Sequence, residues 1–276
     1  MACASGLQGI LARYAVAIPF DERKASVQIA LVSTSPIAAQ ARATVRSAFD
    51  ADPTCTVYVL DLDEGYRPVA NEKVVTPRDV GVGTREHHIR AVLLEPEALV
   101  RWMLPAILRY ALRSGPSVLA VSSGVLLLRD SSELTDLATE HQTCLIARSP
   151  QALPSDGSWP GSADLLAAGS YTPHLLAVSH EATAFVDLWE RLAADPRTAS
   201  DRWLDVAASH LGHHTVHAPG FLVSAWTGPL VQIGENADGA LEVDGVPAVA
   251  LDLTEVDADS PWLLQPQTDR PPRIRL

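Results

Sequence analysis

Lysine is nearly missing from this chain. Of 276 residues only Lys24 and Lys73 are lysines, and 33 acids against 21 basic residues leave a formal charge of −12. Binding to nucleic acid, which relies on clustered cations that neutralise phosphates, is therefore not expected. The densest basic group, Arg270, Arg273 and Arg275, is too short for a basic arm and reads as a solvated tail. Cysteine is scarce as well. Cys3, Cys55 and Cys144 are odd in number and far apart, which suggests neither a disulfide framework nor a cysteine zinc site and fits a reducing, cytoplasmic compartment. No apolar run approaches the roughly 18 residues of a membrane span. The first residues have no basic n-region and are interrupted by Gly6 and Gly9, so no signal peptide is expected.

What remains is a chain rich enough in apolar residues, at 47%, to bury an α/β core. The expected division is an N-terminal segment over 1–25 and one domain over 26–276. A β-rich apolar stretch at 27–32 is followed by Ser33-Thr-Ser-Pro36 and then by Ile37, Ala41, Val45 and Phe49 at helical spacing, with Pro36 suited to a first turn. A second strand over 56–61 ends in Asp61 and Asp63, at the end of an open α/β sheet where ligands bind. Residues 65–90 read as loop with a short strand at Val74 and Val75, and 95–113 as a helix kinked at Pro105. An apolar strand over 117–128, a helix over 132–141 and a strand over 143–147 follow. The second half adds a long loop over 149–161, a strand at 175–178, a helix capped by Ser179 and another after Ser200, then a hairpin turning at Asp244-Gly245. Strands alternating with helices in the first half imply parallel pairing through crossovers.

The stretch with the most to say is Ser117-Val-Leu-Ala-Val-Ser-Ser-Gly-Val-Leu-Leu-Leu128. Together with Leu153-Pro-Ser-Asp-Gly157, Ala163-Asp-Leu-Leu-Ala-Ala-Gly169, Arg202-Trp-Leu-Asp205, His213-His214, Pro219-Gly-Phe221 with Trp226, and Ser260-Pro-Trp-Leu-Leu264 before Asp269-Arg-Pro271, it resembles a bacterial glycosyltransferase family common in actinobacteria. The resemblance runs from about Val27 to Leu276 and rests on the order and spacing of these segments. It implies an α/β fold of the GT-A (nucleotide-diphospho-sugar transferase) type, a mixed sheet flanked by helices.

The resemblance also implies where the chemistry should sit, and most of those positions carry the wrong residue. The two aspartates of the family's Asp-x-Asp, which hold a divalent cation through hard oxygen ligands, fall on Ser122 and Gly124. A lysine before the helix proline falls on Leu104, an asparagine after the Ala-Gly turn on Thr172, an aspartate on Ser200 with Asp201 beside it, and a late histidine on Asp252. A departing nucleoside diphosphate needs a metal or fixed cations. Arg90, Arg101 and Arg129 are the candidates to replace the metal. Trp226, Asp61 and Asp63 are candidates for contact with sugar, base or ribose. No cofactor or metal is implied.

The resulting expectation is a catalytically degenerate glycosyltransferase-like domain that binds a nucleotide or glycan, or serves as partner to another protein. The alternative is an active, metal-independent glycosyltransferase using a nucleoside diphosphate sugar, with Asp201 or Asp252 as base. Two further classes compete. His210, His213, His214 and His217 would share one side of an unbroken helix and could bind zinc, although Gly212 opposes that continuity. A Ser-His-Asp hydrolase has only Ser122-Ser123-Gly124 in its favour, with no Gly-x-Ser-x-Gly elbow.

Overall fold

The computed structural model describes residues 26–193 and 202–255. Strand β1 (Gln28–Ser33) is buried along its whole length, as its run of apolar residues on both faces requires of a central parallel strand. It pairs in parallel with β2 (Thr56–Asp61), in a register from Gln28↔Thr56 to Ser33↔Asp61. Helix α1 (Ala38–Ala51) makes the crossover, with Pro36 in the 3-10 turn that precedes it.

After β3 (Lys73–Val75) come α2 (Thr84–Leu93) and α3 (Pro96–Ala111), then β4 (Ser117–Val121), β5 (Val125–Leu127), α4 (Ser132–His141) and β6 (Thr143–Ala147). Next are α5 (Ser162–Ala168), β7 (Tyr171–Ser179), α6 (Thr183–Ala193), α7 (Trp203–His210) and β8 (His214–Val216). The described chain closes with β9 (Ile233–Glu235), β10 (Leu241–Val243), β11 (Val246–Pro247) and β12 (Ala250–Asp252). The main sheet has seven strands in the order β3-β2-β1-β4-β7-β6-β8. The first four are mutually parallel and β7 is antiparallel to both its neighbours. β5 leaves this sheet and pairs with β12.

Each face of the sheet buries its own core. On one side α3, α6 and α7 bring Met103, Ile107, Phe185, Trp189 and Trp203 against β1, β2 and β4. On the other, α1 and α4 bring Ala41, Val45, Leu134 and Ala138. Among the described residues no helix is long and apolar enough to cross a membrane.

Several expectations change. Residues 84–90, assigned to loop, belong to α2. It buries none of its residues, and Val92 and Leu93 are 85% and 72% exposed, so there was no inward stripe to read. The strand over 117–128 is two strands, broken where Val125 N donates to Ser122 O at 3.0 Å and Gly124 turns at φ +105°. The strand at 175–178 begins four residues earlier, at Tyr171. There Pro173, which has no N–H to give, lies in the stretch where pairing with β6 shifts register. Ser179 ends β7 and caps nothing, its Oγ being buried without a partner. α3 continues as one helix through Pro105. The hairpin at Asp244-Gly245 forms as read, with φ of 51° and 80° at its two turn residues.

Candidate functional site

The carboxyl ends of β2, β1 and β4, the first residues of antiparallel β7 and the end of β6 form one edge of the main sheet. Four strand spacings, about 19 Å, separate β2 from β6 along it. The candidate residues divide into groups along this edge.

At the β2 and β1 end, Asp61 is 7% exposed. Its Oδ2 accepts from Tyr66 N at 3.1 Å, while its Oδ1 is buried without a partner. Ser33, its register partner, and the adjacent Thr34 also have buried hydroxyls without partners. Three polar atoms thus lack partners at one strand end, where each would normally find a hydrogen bond. Asp63 is differently engaged. Both its oxygens accept from Ser35 N, at 3.0 and 2.8 Å, so this carboxylate holds the first residue of the 3-10 turn that leads into α1. Gly65 permits this closure, because a Cβ there would stand 2.2 Å from Ser35 Oγ.

In the middle, the turn after β4 is held by its own hydrogen bonds. Ser122 N donates to His174 O at 2.9 Å, Ser123 Oγ to Val32 O at 2.9 Å, and Gly124 N to Thr44 Oγ1 at 3.0 Å. A side chain at 124 would be strained by the positive φ and crowded by Thr254, whose Cγ2 would lie 3.3 Å from its Cβ.

Beyond the turn, Asp252 pairs with His174, Oδ2 to Nδ1 at 2.7 Å. Its Oδ1 accepts from Thr254 N at 2.9 Å and from Thr254 Oγ1 at 2.6 Å. Burial by itself would raise the Asp252 pKa, but the His174 hydrogen bond and charge and the two Thr254 donors outweigh it and hold it below the ordinary value. A depressed folded pKa means stability that is present above the unfolded value and lost as pH falls through the folded one. The free energy of unfolding should therefore drop below about pH 4, and Asp252→Asn should flatten that drop. Denaturant titrations across the acid range check this.

Arg148, 4% exposed at the end of β6, completes the edge. It donates to the carbonyls of Gly169, Ala168 and Tyr171 at 3.2, 3.4 and 3.3 Å, and its guanidinium lies 5.0 Å from the Trp226 ring centroid. Trp226 is 7% exposed, and Glu255, whose pKa desolvation raises above the ordinary value, lies against its indole and beside Asp252. Thr172 accepts from His174 N at 3.2 Å. The cavity among Arg148, Thr172, Trp226 and Asp252 holds about 10 Å³, room for about one water.

The structure thus brings Thr172, Trp226 and Asp252 together and sets Ser122 and Gly124 beside them. Asp61 and Asp63 stand apart at the other end. Arg129 is exposed beyond β5, which runs from Gly124 beside Thr44 to Leu127 beside Ser47 and so away from this edge. Leu104 is core, Arg90 lies over Trp102, and Asp201 falls outside the described residues. Sequence reasoning missed His174 and Arg148. Neither had a motif, and only their positions at the edge ends of β7 and β6 would have marked them. The histidines of the zinc alternative go separate ways: His213 contacts the Tyr171 hydroxyl at 3.3 Å, and His214 stacks on His141. Cys55 and Cys144 are buried, and burial pushes each thiol up to about 12, so neither is a ready nucleophile.

Among solved structures the chain is similar to the glycosyltransferase GlyE of Streptococcus pneumoniae TIGR4, with a TM-score of 0.51 and 10% identity over 88% of this chain and 58% of that one. It is also similar to a glycosyltransferase involved in the glycosylation of the major capsid of PBCV-1, with a TM-score of 0.50 and 10% identity over 86% and 98%. The fold is that of a GT-A-type glycosyltransferase. No protein-family model and no curated protein matches the sequence. At this identity the likeness shows the GT-A fold alone, and the chain spans less than two thirds of GlyE. In the GT-A framework, the turn at Ser122–Gly124 and the Asp252–His174 pair share one stretch of the carboxyl edge.

Proposed function

We propose that this is a glycosyltransferase-like protein that binds a nucleotide without a divalent metal and no longer transfers sugar. One observation carries the reading: Gly124 stands at φ +105° with Thr254 packed against it, and the Asp252 carboxylate is hydrogen-bonded to His174 and Thr254. Hard cations need several oxygen ligands, mainly carboxylates. Ser122 and Gly124 supply no carboxylate, Asp252 has both oxygens engaged, and desolvation holds neighbouring Glu255 above the ordinary carboxylate range. The Asp-x-Asp expected from the family resemblance is lost, and the arginine that would have replaced it, Arg129, points elsewhere.

Support for a retained nucleotide comes from the far end of the edge. A ribose hydroxyl or base N–H would supply the donor that Asp61 Oδ1 lacks, and Ser33 and Thr34 lie next to it. Asp61→Asn keeps the shape and exchanges an acceptor for a donor. It should weaken nucleoside diphosphate binding by about tenfold or more, or about 1.4 kcal/mol, with little change in the Tm of the free protein. Calorimetry compares the two proteins, and equal affinities would remove Asp61 from the site.

Transfer without metal remains the second reading because of the His174–Asp252 pair. A buried carboxylate that fixes Nδ1 of a partly exposed histidine is an arrangement for proton exchange. In that reading the acceptor hydroxyl gives its proton to His174, its oxygen bonds to the sugar carbon, and the nucleoside diphosphate leaves with the electron pair. Asp252 would then position the base and would not itself accept the proton.

A further inference from the structure

An acceptor-rich cleft of about 370 Å³ lies at the opposite edge of the sheet, lined by Gln28, Ser117, Thr135, Asp136, Thr139 and Glu140. Its volume falls in the range of small-molecule sites. Gln28 and Ser33 are the two ends of β1, about 16 Å apart, so this cleft is separate from the carboxyl-edge site.

Gln28 is 7% exposed, and its Oε1 is buried without a hydrogen-bond partner. Its amide is fixed there because Gly115 has no side chain: a Cβ at 115 would stand 1.8 Å from Gln28 Nε2. The neighbouring hydroxyls point their protons away. Thr135 donates to Ser132 O at 2.8 Å and Thr139 to Thr135 O at 2.9 Å, so each oxygen has lone pairs left to offer. Asp136 and Glu140 stand one helical turn apart on α4, both exposed, and Glu140 lies 3.7 Å from His141. Among the described residues, none that lines the cleft is basic.

We infer that this cleft binds a small organic cation with several N–H donors, an amine or a guanidinium. Its N–H groups satisfy Gln28 Oε1 and the threonine oxygens, and its charge meets Asp136 and Glu140. That chemistry has two sources: a free small molecule, or this chain's own Arg23 and Lys24, which stand just before the cleft residue Ser26.

The probe is agmatine, which carries an amine and a guanidinium, titrated into the full chain and followed by calorimetry and amide NMR shifts. Saturable binding is expected, with shifts gathered at Gln28, Thr135 and Thr139 and none from neutral myo-inositol. The double variant Asp136→Asn/Glu140→Gln should bind about tenfold more weakly or worse. Glu86→Gln/Glu181→Gln, which removes the same charge from exposed sites elsewhere, should bind like wild type. Because both pairs are on the surface, folding is not at stake. Tighter binding, by about tenfold, in Arg23→Ala/Lys24→Ala than in wild type would identify the chain itself as the source, whereas equal binding identifies a free molecule. Absence of saturable binding in both wild type and Arg23→Ala/Lys24→Ala would overturn the inference, as would an equal loss in the control pair.

Discussion

Gly124→Asp, which puts an acid at the expected second metal-ligand position, should destabilise the fold by about 2–3 kcal/mol and give no manganese binding. Gly124 sits at φ +105°, beyond the left-handed region near +60° that aspartate tolerates, and its Cβ would press on Thr254 at 3.3 Å. Gly124→Ala should show most of the same loss, since the strain is in the backbone and in that contact. Ser122→Asp should be far milder, because Ser122 is partly exposed and lacks the positive φ. Chemical denaturation measures the three, and manganese calorimetry on the double variant completes the comparison. A double variant that is stable and binds manganese would mean that the turn has room for a metal.

The largest loss of stability is expected from Trp189→Ala, at about 3–5 kcal/mol. Trp189 is 1% exposed, stacks on Trp203 with centroids 4.4 Å apart, and meets Phe185 edge-on at 6.1 Å. Truncation would leave a cavity where α6 and α7 pack together over the sheet. Trp189→Phe should cost under about 1.5 kcal/mol, since it keeps a ring and removes an indole N–H that is buried without a partner. If the two substitutions cost the same, the ring stack is not what holds α7 in place.

Trp189 and Trp203 were legible as core because both recur with aliphatic neighbours at helical spacing. β1 and β2 were legible for a similar reason, as continuous apolar runs have to be buried on both faces. α2 was not, because a helix that buries nothing carries no apolar period. β7 was read only from Leu175 onward, its polar Tyr-Thr-Pro-His start concealing the residues that bring His174 to the edge. The serine and glycine at 122 and 124 were visible in sequence, but that Thr254 packs against Gly124 was not. The contact joins residues 130 positions apart, and no local pattern encodes it. Asp63 shows the same limit from the other direction. Its place at a strand end suggested a ligand contact, yet its two bonds to Ser35 N give it a partner within the fold.

The central claim is nucleotide binding that does not depend on metal. It is tested most directly by calorimetric titration of a panel of nucleoside diphosphates, once in EDTA and once with manganese. The account predicts that one nucleotide class binds with the same Kd in both conditions, within about twofold, and that the matching nucleotide sugar is not turned over. Binding that appears only with manganese, or tightens by about tenfold with it, would contradict the account and place a metal where Thr254 now stands. Failure of every nucleotide to bind in either condition would also contradict it.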